Sequence, residues 1–264
     1  MAETSAGAAL RVLNAAAPRD KIMAARTAAR AWRLGRLVQT CDVAMPDRPA
    51  RPARPELLPP SRMPKRGRGG SDRTRIALLH ALAHIEFAAI DLAFDLIGRF
   101  GDRFPRAFLD DWFKVGAEEA MHFALLSRRL ESLGSYYGAL PAHDGLWEAA
   151  AETAHDPIAR LAVVPMVLEA RGLDVTPVMI ARFESVGDTR SARILTRIAS
   201  DEIGHVAAGV RWFEHLCAAQ RFDPGSHWKM MVRRHFRGAI KPPFNDSARQ
   251  SAGLPRDLYH ALAD

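Results

Sequence analysis

Apolar residues recur every three to four positions through four long stretches of this chain, Asp72–Phe100, Pro105–Leu133, Pro157–Ser185 and Asp188–Cys217, and predict four long helices. In the first, Leu79, Ile90, Ala93 and Ile97 share one face; in the second, Phe108, Trp112, Val115, Leu126 and Leu130 do. Ala162, Met166, Leu173 and Ile180 mark the third face, and Ile194, Leu195, Ile198, Gly209, Trp212 and Leu216 the fourth. Pro165 lacks an amide donor and should bend the third helix; Gly172 and Pro177 add weak points. Ahead of these lie two Ala/Arg/Leu-rich helices, 4–16 and 19–41. A stretch from 44 to 70 follows, with prolines at 46, 49, 52, 55, 59, 60 and 64 and the end Lys65-Arg66-Gly67-Arg68-Gly69-Gly70, and reads as an extended strap or linker. Residues 134–156, broken by Gly134, Gly138, Pro141 and Gly145, read as a long crossover. A basic helix near 224–237 and a proline-containing tail close the chain. Three regions result: a basic helical extension and strap (1–70), a four-helix bundle (71–217), and a basic C-terminal helix and tail (218–264).

Acids and histidines interrupt the apolar faces in a doubled pattern. Glu86 precedes Glu119-Ala-Met-His122 by 33 residues, as Glu169 precedes Glu202-Ile-Gly-His205, and the second set follows the first by 83. Residues three apart on a helix share a face, so each Glu-x-x-His presents a carboxylate and an imidazole together. The midpoint of each 33-residue interval falls on turn chemistry, near Gly101-Asp102 and Gly187-Asp188, so Glu86 should face Glu119 and His122 across one hairpin, and Glu169 should face Glu202 and His205 across the other. Six ligands inside a bundle make a di-metal site, because unpaired buried carboxylates cost several kcal/mol. The competing reading is a buried polar cluster without metal. With 12 glutamates and 10 histidines in 264 residues, about half a Glu-x-x-His arises by chance. Glu152-Thr-Ala-His155 is such a spare, set in a glycine-broken segment and abutting Asp156-Pro157.

Charge is uneven. Residues 71–215 carry 15 Lys/Arg against 21 Asp/Glu; residues 1–70 carry 14 against 5, and 216–264 carry 8 against 4. An acidic bundle with basic arms suits either a strap held against the acidic surface or an arm that holds RNA. Cys41 and Cys217 give no disulfide framework and no Cys-x-x-Cys, which excludes a rubredoxin-type or iron–sulfur module. No uninterrupted apolar run approaches the ~20 residues of a membrane span, and Met-Ala-Glu-Thr-Ser-Ala-Gly lacks the features of a secretory signal, so the expectation is a cytoplasmic protein with no membrane partner.

In ligand type, order and spacing, 72–217 resembles the ferritin-like di-iron carboxylate proteins. More narrowly, Glu169-Ala-Arg-Gly-Leu-Asp-Val-Thr-Pro177 with Asp201-Glu-Ile-Gly-His-Val206 is similar to the ferritin-like domain of unknown function family 455. The resemblance implies an all-α, ferritin-like four-helix bundle with a long crossover. It implies two iron ions, alternatively Mn/Fe or two Mn, bridged by Glu119 and Glu202, with Glu86 and His122 completing one and Glu169 and His205 the other. It further implies that Glu118 and Asp201 steady the ligand histidines of the opposite hairpin. The expected activity is a di-iron oxidase or monooxygenase that uses dioxygen or peroxide on an unidentified small molecule, with an unidentified electron donor, as a monomer or homodimer. Two alternatives stay open: a tRNA-modifying di-iron hydroxylase, and a storage or ferroxidase protein without organic substrate. No catalytic residue beyond the ligands is assigned. His84, about 200° from Glu86, should face away from the metals; Arg171 and Asp174 are either an ion pair or a substrate-orienting pair. The only tyrosines, Tyr136, Tyr137 and Tyr259, lie outside the four helices, which disfavours a radical-storing tyrosine.

Overall fold

Ser71 and Thr74 start the first long helix by capping one another: the Ser71 hydroxyl accepts from the Thr74 amide and the Thr74 hydroxyl from the Ser71 amide. The helix they start, α3, runs Asp72–Phe100 in the computed structural model, which describes residues 3–64 and 71–263. The Lys65–Gly70 end of the proline-rich arm lies outside the described residues. Among the described residues the fold is all-α apart from one two-stranded parallel pair, β1 (Glu3–Thr4) and β2 (Leu37–Val38), and two isolated bridges. The chain divides into two compact units, Met1–Trp147 and Glu148–Asp264.

In the first unit α3 ends at Gly101, turns through a 3₁₀ segment to Arg103, and Pro105 starts α4, Arg106–Ser132. Gln39 clamps this turn, its amide donating to the Gly101 and Phe104 carbonyls, each at 2.7 Å. The two helices run antiparallel, since Phe94 meets Phe113 while Phe87 meets Phe123. A methyl group at Gly116 would strike the Phe94 ring, so that glycine serves close helix packing. Two earlier helices, α1 (Ser5–Asn14) and α2 (Pro18–Arg33), cover α3 and α4 respectively. Trp32 of α2 stacks on Phe113 at 5.2 Å, and burial of each such ring contributes roughly 1.5–3 kcal/mol.

The segment from Gln39 to Arg62 lies across this unit. Arg99 donates to the Pro46 carbonyl, Trp147 to that of Asp47, and the Ala50 amide to that of Leu13, while the Leu58 amide donates to the Ala142 carbonyl and the Ala142 amide to that of Glu56. Met45 fills the notch left by the missing side chain of Gly98. Beneath it lies a buried charge cluster. Asp91 accepts from Lys21 at 2.5 Å and from Arg51 at 2.5 Å, Lys21 also donates to the Val12 carbonyl, and Arg51 reaches Asp144 at 3.5 Å. Burial pulls the Lys21 ammonium down and pushes the Asp91 carboxyl up from their ordinary ranges; their mutual contact opposes both shifts.

By length and composition α3 is apolar enough to cross a membrane, which a search for an uninterrupted apolar run misses because acids break it. Of that window 67 % is buried inside the fold, as in the core helix of a folded domain. His84, on α3, is buried away from the acids: its Nδ1 lies 2.9 Å from the Tyr137 hydroxyl and its Nε2 3.2 Å from the His143 carbonyl. Burial holds its pKa down to about 3, so it packs as a neutral ring.

The second unit holds the other hairpin, preceded by the end of the short helix α5 (Gly145–Glu152). Asp156 caps α6, Pro157–Val163, a π-helical turn covers Val164–Glu169, and α7 continues through Ala170–Ser185. The bend expected at Pro165 is therefore a π turn. Proline removes a ladder bond, and the helix recovers by closing a wider ring in which the Ala170 amide donates to the Pro165 carbonyl. α7 passes through Pro177 without ending. Gly187, at φ +75°, makes the turn that L side chains resist; Asp188 then caps α8, Thr189–Gln220, through the Ser191 amide and hydroxyl. At Gly209 of α8 a methyl group would collide with the Pro165 ring, so the π turn and α8 are packed against each other through that glycine. α9 (Pro224–His235) packs on α6, with buried Trp228 donating to the Ala162 carbonyl, and short helices α10 (Asp246–Ser251) and α11 (Arg256–His260) finish the unit.

Candidate metal centre

In the first unit the α3–α4 hairpin does bring Glu86, Glu119 and His122 together. Their ligand atoms lie within 4.8 Å of one another, all three side chains buried. His122 Nδ1 is 3.3 Å from Glu86 Oε2 and 3.5 Å from Glu119 Oε2. In the second unit the same three-residue spacing on α8 puts His205 Nδ1 3.4 Å from Glu202 Oε1, both buried, while Glu169 closes the π turn and is half-buried. Beside them, Glu118 lies 3.8 Å from Lys114 and Asp201 accepts from Arg197 at 2.6 Å. The spare pair behaves differently: Glu152 meets Arg237 on the surface at 2.8 Å.

These separations suit a coordination shell. Oxygen and nitrogen ligands each about 2.1 Å from one ion, at tetrahedral to octahedral angles, lie roughly 3.0–3.4 Å apart, longer than the usual hydrogen bond. A buried Glu/His cluster of this kind can hold a metal ion. Carboxylate oxygens and imidazole nitrogens form a hard, mixed donor set; the free thiols Cys41 and Cys217 belong to neither group.

Electrostatics point the same way. Burial, and then the Glu119 carboxylate, push Glu86 well above the usual carboxylate range. Burial opposes charge on His122, but Glu119 and Glu86 outweigh it and push that imidazole up to about 11. Without a metal, protons hold the cluster together. Raised Glu86 and His122 each contribute fully below their ordinary values and lose the contribution as pH rises through the raised ones, for His122 toward about 11. A divalent ion held by the cluster would replace those protons. The Tm gained on adding Mn²⁺ to chelator-treated protein is therefore expected to be small near about pH 5 and to grow toward about pH 9. A gain that is flat or shrinks over that range would show that the ion does not displace these protons.

Arg171 and Asp174, left between two readings by the sequence, are an ion pair at 3.4 Å, but the stronger partner of Asp174 is Arg249, which donates from Nε at 2.8 Å and Nη2 at 2.7 Å. Sequence reasoning missed Arg249, whose position near the tail gave no periodic signal. It also missed Lys21 and Arg51; the signal for both was Asp91, an acid on a core face.

No solved structure matches this chain. An uncharacterized protein of Haemophilus influenzae (strain ATCC 51907 / DSM 11121 / KW20 / Rd) is similar to it, 40% identical over 206 residues that cover 76% of this chain and 71% of that protein. The family model described as "Protein of unknown function (DUF455)" matches residues 14–260, the whole of both hairpins included, and the chain belongs to that family.

Proposed function

We propose that the two Glu/Glu-x-x-His sets form one di-metal centre in a ferritin-like four-helix arrangement of α3, α4, α6–α7 and α8, holding two iron ions or their manganese counterparts, and that the protein is an oxidase or monooxygenase. The observation that carries this reading is the buried convergence of Glu86, Glu119 and His122, with the same residue types in the same order on the second hairpin. Four carboxylates and two neutral imidazoles would balance two divalent ions. When bound, such ions supply redox chemistry with dioxygen or peroxide. The chain's part is to present Nδ1 of His122 and His205, to hold the carboxylates in an apolar interior, and to keep bulk water from them. A reducing cytoplasm fits the two free cysteines.

Chemistry separates this reading from storage. Two ferrous ions hold two electrons, so protein loaded anaerobically is expected to consume about one dioxygen per two irons and then stop until a reductant is supplied. Oxygen-electrode traces with stepwise ferrous additions check this; oxidation that continues well past two irons per chain, with mineral formation, would favour storage. The proline-rich arm bears on the RNA alternative. Arg51 of the arm turns inward to Asp91, and Arg99 of α3 holds the arm at the Pro46 carbonyl, which supports a strap over a nucleic-acid arm.

A further inference from the structure

The second unit contains a cavity that the metal centre does not use. About 120 Å³ of space, close to the ~150 Å³ of a cavity that admits a benzene ring, is bounded by the π turn, by Phe236, and by the tail loop from Ala239 to Phe244. Met166, Val167 and Leu168 of the π turn supply one wall, and Phe236, Ile240 and Phe244 face it from the tail. π turns inside α-helices recur at functional sites because the wider ring displaces backbone and side chains from the helical ladder.

The loop is held in place from beneath. Asp174 Oδ1 accepts from the Asn245 amide at 3.0 Å and from Arg249 Nε, Oδ2 accepts from Arg249 Nη2, and Asn245 Nδ2 donates to the Leu173 carbonyl. Arg249 is itself covered by the Tyr259 ring at 4.3 Å. The cavity is thus preformed, which lowers the entropy lost on binding.

Its charges are one-sided. Asp174 is the only acid in the lining, and these donors already occupy it. Arg171 Nη1 reaches the Lys241 and Pro243 carbonyls, at 2.7 and 3.1 Å, and Asp174 Oδ2 at 3.4 Å, while among the described residues its Nε and Nη2 have no acceptor. The Lys241 ammonium likewise has no acidic partner among the described residues. A cation entering this space finds no available carboxylate; an anion finds the Arg171 guanidinium edge beside an apolar chamber, with exposed Lys241 on the same rim.

We propose that this cavity binds a small carboxylic acid with an apolar body, its carboxylate on Arg171 and Lys241 and its body between the π turn and Phe236 and Phe244. That this acid is the substrate rests on the di-metal reading, since Glu169 directly follows the π-turn residues that line the cavity. Binding itself does not.

The test is calorimetric titration of the full chain with phenylacetate and hexanoate and with their neutral amides, on Mn²⁺-loaded and on chelator-treated protein. The expected result is binding to both forms of the protein, with each acid at least about tenfold tighter than its amide, the scale of a charge-assisted contact. In the Arg171→Gln/Lys241→Gln double variant that preference should vanish while the amides bind as before. Ala239→Trp, at the exposed mouth, should block acids and amides alike and leave the circular dichroism spectrum unchanged. No binding at millimolar acid, an equal affinity for the amides, or a preference that survives the double variant would overturn the proposal. Acid binding confined to the Mn²⁺-loaded protein would also overturn it, because the carboxylate would then sit on the metals. Metal content measured on the same samples separates the two ideas: a failed cavity leaves the metal reading standing, and a failed metal reading leaves the cavity.

Discussion

Asp91→Ala is expected to be the most destabilising single substitution in the first unit. Lys21 and Asp91 are fully buried, Arg51 is mostly so, and Asp91 accepts from both cations. Removing the acid leaves the buried ammonium with the Val12 carbonyl and the Phe87 face at 5.5 Å, and leaves the guanidinium with Asp144 at 3.5 Å. Loss of one partner of a buried pair costs about 3–5 kcal/mol, which for a chain of this length lowers Tm by roughly 10 °C or more. The triple change Lys21→Met/Asp91→Leu/Arg51→Met removes all three charges together and is expected to restore most of the loss, since apolar replacement of a buried ion group is often neutral or better. Thermal unfolding followed by circular dichroism distinguishes the outcomes. A single variant as stable as the parent would mean that the cluster is hydrated and contributes little.

The hairpins were legible in the sequence because local and long-range signals agree there. Ser71 and Thr74 cap α3, Gly101 and Pro105 frame one turn, Gly187 and Asp188 make the other, and the apolar period runs through α3, α4 and α8. Within each hairpin the acid and histidine positions follow from arithmetic on helix length. What stayed hidden depends on tertiary context. α2 reads only as an Ala/Arg/Leu-rich helix, yet Lys21 is drawn inward to Asp91, 70 residues on in the chain and on another helix. The β1–β2 pair spans two residues on each strand, too short for any period to register. Pro165 announced a bend in the third helix but not its form, a π turn whose proline ring packs against Gly209 of another helix. The cavity of the second unit is built from residues as far apart as Met166 and Arg249, and its loop is placed by the Asp174–Arg249 pair, so no local pattern reports it.

His122→Ala and Glu202→Ala are expected to abolish most metal binding, one from each hairpin. Protein reconstituted anaerobically with ferrous iron and freed of excess should carry about two ions per chain if six ligands of this type enclose them. His122 contributes the only nitrogen in the first unit's cluster; deleting it removes a ligand and opens a void against Glu86 and Glu119. Even residues that only orient metal ligands cost 10–100-fold in affinity when changed, so loss of a direct ligand should exceed about 100-fold. The substitutions also separate a metal centre from a metal-free polar cluster. In a metal-free cluster, removing His122 would leave two acids held by protons, with a stability change and nothing for metal analysis to read. In a metal centre, the Tm gain that Mn²⁺ gives the parent protein should disappear from both variants, while their chelated forms stay folded. Glu152→Ala and His155→Ala provide the matched control, because they carry the same residue types at the same spacing on a segment where Glu152 is engaged with Arg237 at the surface. Those two should retain parental metal content. Retention of two ions per chain by the Glu202→Ala protein would remove the second hairpin from the site and reduce the centre to what Glu86, Glu119 and His122 can hold by themselves.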